Sequence, residues 1–212
     1  MKSPMMTILR RTVLLTGLAL AGLGLGGAPA FAANVAEEYV QDNIHKGLDI
    51  LNTRGLSSDQ KRGQFQSFFL SVADFQRIAD FTLGQYRRGA SPADVTAFEN
   101  AFQNYAIAVY QSYFERYKGL TLKVIGSDTL AADDFRVKTQ LIDPNDHSGQ
   151  APLEVDFRVR TNTGKPTLTD IAVGGIWLAL EERDQFTSFL GQNGGNIGSL
   201  NSHLNDLAKQ FK

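Results

Sequence analysis

The stretch LEVDFRVR, residues 153–160, alternates without a break, apolar at odd positions and charged at even ones. Period two marks a strand with one dry face and one wet face, as in an antiparallel sheet. Val155, Phe157 and Val159 are expected to point into the protein. Glu154, Asp156, Arg158 and Arg160 are expected to point into solvent. The same alternation runs through LTLKV at 120–124 and FRVKT at 135–139. Asp133-Asp134 and Asn162-Thr163-Gly164-Lys165 read as turns. Residues 167–180 give a further strand region, broken at Gly174-Gly175.

On either side of these strands the period changes to that of a helix. Upstream, Tyr39, Val40, Ile44, Leu48 and Leu51 mark an amphipathic helix ending near Arg54-Gly55. Ser57-Ser58-Asp59 restarts the chain for a helix carrying Phe65, Phe68, Phe69 and Val72. Asp74 reads as the cap of a short helix with Phe75, Ile78 and Phe81, ended by Leu83-Gly84. Ser91-Pro92 then opens the helix FENAFQNYAIAVYQSYFERY, residues 98–117. Its Phe98, Phe102, Tyr105, Val109 and Tyr113 form one stripe. Ala106, Tyr110, Phe114 and Tyr117 widen that stripe to roughly half the circumference. Such a helix is either buried between two layers or walls a cavity for an apolar ligand. Downstream, Phe186, Phe189 and Leu190 mark one closing helix, and Ile197, Leu200, Leu204, Leu207 and Phe211 another. Helices, then strands, then helices predict an α+β fold, with helices on one face of a curved antiparallel sheet.

The ends bound the location. Lys2, Arg10 and Arg11 precede the apolar run VLLTGLALAGLGLGG, and Ala30-Phe31-Ala32 is a small-x-small site. Residues 1–32 therefore read as a cleaved signal peptide and residues 33–212 as a single exported domain. The Arg10-Arg11 pair leaves Sec and twin-arginine export both open. The formal charge of the whole chain is −1, and the leader holds three cations and no acid, so the remainder is more acidic still. That argues against nucleic acid as a partner. With no cysteine, an exported domain relies on packing alone.

The residues of catalysis are missing. There is no G-x-S-x-G, no P-loop and no H-E-x-x-H. His45, His147 and His203 lie far apart, and none has a second ligand at helical spacing. His147, with Asp143, Asn145 and Asp146, reads as a solvated turn, and Arg87-Arg88 as a solvated helix end. Glu181-Glu182 suits the start of a helix. Asp170 is the one carboxylate near the expected dry face, and alternation with Ile171 sends it outward. The expectation is that the protein is not an enzyme and holds no metal or cofactor.

Three segments carry a resemblance: AFENAFQNYAIAVYQSYFERYKG at 97–119, LEVDFRVR at 153–160, and DIAVGGIWLALEERDQFTSFLGQNGGNIGSLNSHL at 170–204. Together they resemble the periplasmic toluene-tolerance (MlaC) family across essentially all of residues 33–212. The most specific piece is RDQF-x-SFL-x-QNGG at 183–195, and FTLGQYRRGAS at 81–91 is similar to the family's helix junction. Arg88 stands where the family often has an aromatic, and Pro166-Thr167 where it often has Trp. The resemblance implies an NTF2-like cone with an apolar cavity. It also implies a monomeric periplasmic phospholipid carrier that maintains outer-membrane lipid asymmetry, with phospholipid as cargo. The implied partners are an inner-membrane Mla ABC transporter complex and an outer-membrane lipoprotein complex. Carriage of another apolar lipid, such as a hopanoid, stays open beside it. The expected lipid-binding wall takes Phe75, Ile78, Tyr105, Val109 and Tyr113 from the helices. From the strands it takes Val124 and Val137, then Val155, Phe157 and Val159, then Ile171 and Val173.

Overall fold

A computed structural model of the chain describes residues 28–116 and 119–211. The expected leader up to residue 27, and Tyr117, lie outside them. Four helices come first: α1 (Ala28–Asn52), α2 (Ser58–Val72), α3 (Phe75–Thr82) and α4 (Pro92–Arg116), with a 3₁₀ turn at Gly84–Arg88. Five strands follow: β1 (Thr121–Ala131), β2 (Asp134–Ile142), β3 (Glu154–Arg160), β4 (Thr167–Val173) and β5 (Ile176–Trp177). Helices α5 (Leu178–Gln192) and α6 (Ile197–Gln210) close the chain. The fold is α+β, as the sequence predicts.

Local chemistry fixes the helix starts. Ser57 and Gln60 form a reciprocal capping box. Asp74 accepts from the Arg77 N–H at 3.0 Å, and Ser91 Oγ accepts from the Asp94 N–H at 3.1 Å. Pro92 takes the first position of α4, where its missing N–H is harmless. Helix α1 begins at Ala28 and so runs through the expected cleavage site. The expected stop at Leu83-Gly84 is instead a change of pitch, with the 3₁₀ turn carrying the chain on to Arg88.

The strands pair antiparallel in chain order, β1 to β5, as an open meander. Gly174 and Gly175 both take positive φ, 57° and 84°, which is the backbone a tight β4–β5 reversal demands. Register shifts interrupt β1 at Val124/Gly126 and β4 opposite Arg158/Val159. Such bulges bend a sheet and sharpen its twist. The second one keeps Leu168 and Ile171 together on the dry face, opposite Val159 and Phe157.

The other face departs from the alternation's simple promise. Asp156 and Asp134 are nearly inaccessible, at 2% and 3% exposure. Arg136 and Arg158 lie over them: Arg136 Nε donates to Asp156 at 2.8 Å, and Arg158 Nη2 donates to Asp134 at 2.7 Å. Arg160 reaches Asp133 at 3.2 Å. Asp134 is thus not a turn residue but the first residue of β2, and the charged face is a lattice in which arginines roof aspartates. Long guanidinium stems cover the shorter side chains while their heads stay wet.

Three apolar clusters hold the layers together. One lies among α3, α4, α5 and α6, around Phe98, Phe102, Phe186, Leu190, Leu200 and Leu204. A second joins Ala36, Val40 and Ile44 of α1 to Phe135, Val137 and Val159 of the dry sheet face. The third joins Phe65, Phe69 and Val72 of α2 to Ile107 of α4 and Leu168 of β4.

Candidate functional site

Between the second and third clusters lies an apolar cavity of about 310 Å³. That is at the small end of the range for ligand sites, roughly 300–1,000 Å³. Helix α1 gives it Tyr39, Val40, Asn43, Ile44, Gly47 and Leu48; α2 gives Phe68, Phe69 and Val72. The sheet gives Thr121, Leu122, Leu141, Val155 and Phe157, then Leu168, Ile171 and Val173. Tyr110 of α4, Leu120, Leu153 and Leu178 complete it.

The packing explains why this space stays open. Ala36, Val40 and Ile44 seat α1 on Phe135, Val137 and Val159 and close one end. One turn beyond Ile44, the buried helix position is Gly47, which offers no side chain to fill the gap. A Cβ there would lie 3.4 Å from the Phe68 ring. At the far end Leu153 lines the cavity and is still 39% exposed, so the wall runs out to solvent.

Two polar side chains of the wall, Tyr39 and Asn43, donate to the protein's own backbone. The Tyr39 hydroxyl donates to the Val72 carbonyl at 2.8 Å. Burial pushes the Tyr39 phenol up to about 12. Asn43 Nδ2 donates back to the Tyr39 carbonyl at 2.8 Å. Behind the wall, Thr139 Oγ1 donates to the Val155 carbonyl at 2.5 Å. No carboxylate, imidazole, amine or guanidinium is among the lining residues. Such a wall has nothing to offer a charged ligand and has the dispersion contacts and dryness that hydrocarbon needs.

Of the residues expected to form a wall, Val155, Phe157, Ile171 and Val173 come together on this cavity. Val137 and Val159 are inaccessible in the cluster that closes its end, and Val124 packs against that cluster. Phe75, Ile78 and Tyr105 pack against the helical cluster. Val109 is half-buried and away from the lining, and the side chain of Tyr113 lies outside the described residues. The aromatic stripe of α4 therefore serves mainly the helical core. Among its described side chains only Tyr110 reaches the cavity, with its ring 4.9 Å from that of Phe69. The expectation overlooked α1 and α2. The signal it passed over is Gly47, a poor helix former in the middle of an amphipathic helix.

Two carboxylates are raised by burial, and both lie off the cavity wall. Asp170 accepts from the N–H of Ile171 at 2.8 Å and of Ala179 at 3.0 Å, so it caps the start of α5; burial raises its pKa. Glu182 accepts a hydrogen bond from Tyr105, its Oε2 is buried without a partner, and burial raises it to about 7. The expected helix-start role for Glu181-Glu182 is thus divided, with Glu181 exposed and Glu182 turned inward. Among the described residues no group of His, Asp and Glu is arranged to hold a metal.

A family model described as MlaC protein matches residues 41–206. A phospholipid-binding protein from Ralstonia solanacearum, solved in complex with a phospholipid, superposes with a TM-score of 0.68 at 20% identity, over 85% of this chain and 98% of that one. That likeness is one of fold.

Proposed function

The chain belongs to the MlaC family, and from that premise we propose that it is a phospholipid carrier of the periplasm, with acyl chain held in the cavity between α1, α2 and the sheet. The observation that carries the reading is a dry, uncharged cavity that opens to solvent at Leu153. Each buried methylene is worth about 0.8 kcal/mol, so two acyl chains left in water cost on the order of 20 kcal/mol. A carrier must hide that surface and needs no covalent chemistry to do so. The headgroup stays in solvent, in keeping with a wall that has no charge to meet it.

In this reading residues 1–32 are an export signal. The carrier hands lipid between an inner-membrane transporter complex and an outer-membrane lipoprotein complex, and so maintains outer-membrane lipid asymmetry. The partners are inferred from family membership.

The test is expression of the full chain in a Gram-negative host, purification without detergent, solvent extraction and mass spectrometry. Near one phospholipid per protein is the expected result, and Val155→Glu is expected to abolish it in a folded protein. A fused-ring lipid in the extract would assign the cavity to another cargo. An extract free of apolar material, or a Val155→Glu protein that still carries lipid, would overturn the assignment.

A further inference from the structure

The cavity wall does not stop at the mouth. Thr139, Val155, Val173 and Ile176 are successive cross-strand partners, so they form one row across the dry face. Val155 and Val173 line the cavity; Ile176, at the sheet edge, is 59% exposed. Leu153 stands beside this row, two residues before Val155 on the same face, and packs near Gly174. Between them Gly174 and Gly175 present a hairpin tip without side chains. The apolar surface that would hold acyl chain is thus continuous with an exposed aliphatic lip.

The lip's own segments carry charge of one sign, and the cations the register brings toward Glu154, Lys138 and Lys123, belong to β2 and β1. Residues 148–157 and 171–182 contain no Lys or Arg, while Glu154 and Glu181 are exposed. The loop that joins Leu141 to Leu153, whose N–H and carbonyl are bonded at 2.8 Å, adds exposed Asp143 and Asp146. An acidic rim is repelled by an anionic lipid surface and meets no such repulsion at one without net charge. The lip itself is small, two aliphatic side chains on a turn, well below what a stable protein–protein interface uses. It suits shallow, reversible contact.

We propose that the lip of Leu153 and Ile176 docks on a zwitterionic phospholipid bilayer, placing the cavity mouth against the acyl layer so that cargo passes without crossing water. The proposal rests on the carrier reading and is separable from it by experiment. Trp177, the single tryptophan of the chain, lies next to Ile176 and reports on the lip.

Vesicles of phosphatidylcholine brominated on the acyl chains are mixed with the purified mature protein, and Trp177 fluorescence is read. The same preparations are extracted for bound lipid. Quenching is expected with these vesicles. A severalfold weaker response is expected when a third of the lipid is phosphatidylglycerol brominated on its chains to the same extent. Ile176→Glu is expected to lose the quenching and keep its co-purified lipid, since Ile176 is outside the cavity lining. Glu181→Lys is expected to restore binding to the anionic vesicles. Protein that carries lipid yet shows no quenching on either surface would overturn the proposal and leave the lip to a protein partner. Equal quenching of the wild type and Ile176→Glu would overturn it too. Quenching by a protein that carries no lipid would support the docking and count against the carrier reading alone.

Discussion

Two halves of this molecule are both rich in apolar side chains, and they pack differently. Among α3 to α6, the rings of Phe98, Phe102 and Phe186 meet at centroid distances near 6 Å, and Leu83, Leu190, Leu200 and Leu204 are fully inaccessible. Between α1, α2 and the sheet, rings as large as Phe68, Phe69 and Phe157 surround a space they do not fill. Apolar content alone therefore does not separate a core from a binding site. The difference lies in whether large side chains meet on every side, as they do in one half, or leave a gap on one side, as they do where α1 has Gly47.

The sharpest way to break this comparison is to place the same charge in each half. Tyr105→Glu puts a carboxylate beside buried Glu182 in the closed cluster and is expected to cost more than about 4 kcal/mol, enough to unfold much of the protein. Val155→Glu reaches an open cavity whose mouth admits water and is expected to leave a folded, soluble protein. Circular dichroism and urea titration of both variants separate the outcomes. Two variants of equal stability would mean that the halves do not differ in closure.

A like-for-like truncation sharpens the same point. Leu200→Ala opens a hole in a closed cluster and is expected to cost about 2–5 kcal/mol. Leu48→Ala removes a half-buried side chain that already faces empty space and is expected to cost about 1 kcal/mol. Chemical denaturation with an unchanged slope gives the difference.

The closed half also carries a pH signature. Glu182 in the folded chain is raised to about 7 from an ordinary value near 4.5. Between those values the folded state binds the extra proton. Its stabilising effect is full below about 4.5 and is lost as pH rises through about 7. Glu182→Gln is expected to remove that slope and to gain on the order of 2 kcal/mol at pH 8. Melting temperatures from pH 4 to pH 8 test it. A wild type whose stability does not fall relative to Glu182→Gln across that range would place the carboxylate in water.

How far the sequence foretold these halves differs between them. The α+β order, the antiparallel sheet, the caps at Ser57, Asp74 and Ser91 and the break at Gly174-Gly175 are local features, decided within a few residues, and were legible. The dry face of β3 and β4 was legible too, because alternation assigns a face outright. The helical wall was not. A helix with apolar residues over half its girth, such as 98–117, touches two neighbours, and periodicity does not say which neighbour leaves a gap. Asp134 and Asp156 were misread for a related reason. Alternation placed Asp156 on the outer face, but only the cross-strand register shows that Arg136 and Arg158 roof both aspartates.

Gly47 is where the two halves should respond with the smallest energy and the clearest sign. Its backbone is ordinary α-helix, so a side chain brings no strain. Gly47→Ala should stabilise the protein by about 0.5–1 kcal/mol through helix propensity alone. The added Cβ would stand 3.4 Å from Phe68, a contact the ring can absorb by a shift of a few tenths of an ångström. Gly47→Leu goes further, since Gly47 lines the cavity and its Cβ already meets Phe68, so the larger side chain must displace that ring or take space assigned to cargo. It is expected to raise the melting temperature relative to the lipid-free wild type while lowering co-purified lipid severalfold. Stability and cargo would then move in opposite directions. That is the behaviour of a cavity kept open for a ligand at the expense of the fold. If Gly47→Leu instead lowers stability and leaves lipid content unchanged, the space beneath α1 is merely a packing gap. The wall would then have to be sought on the Val155 to Val173 side alone.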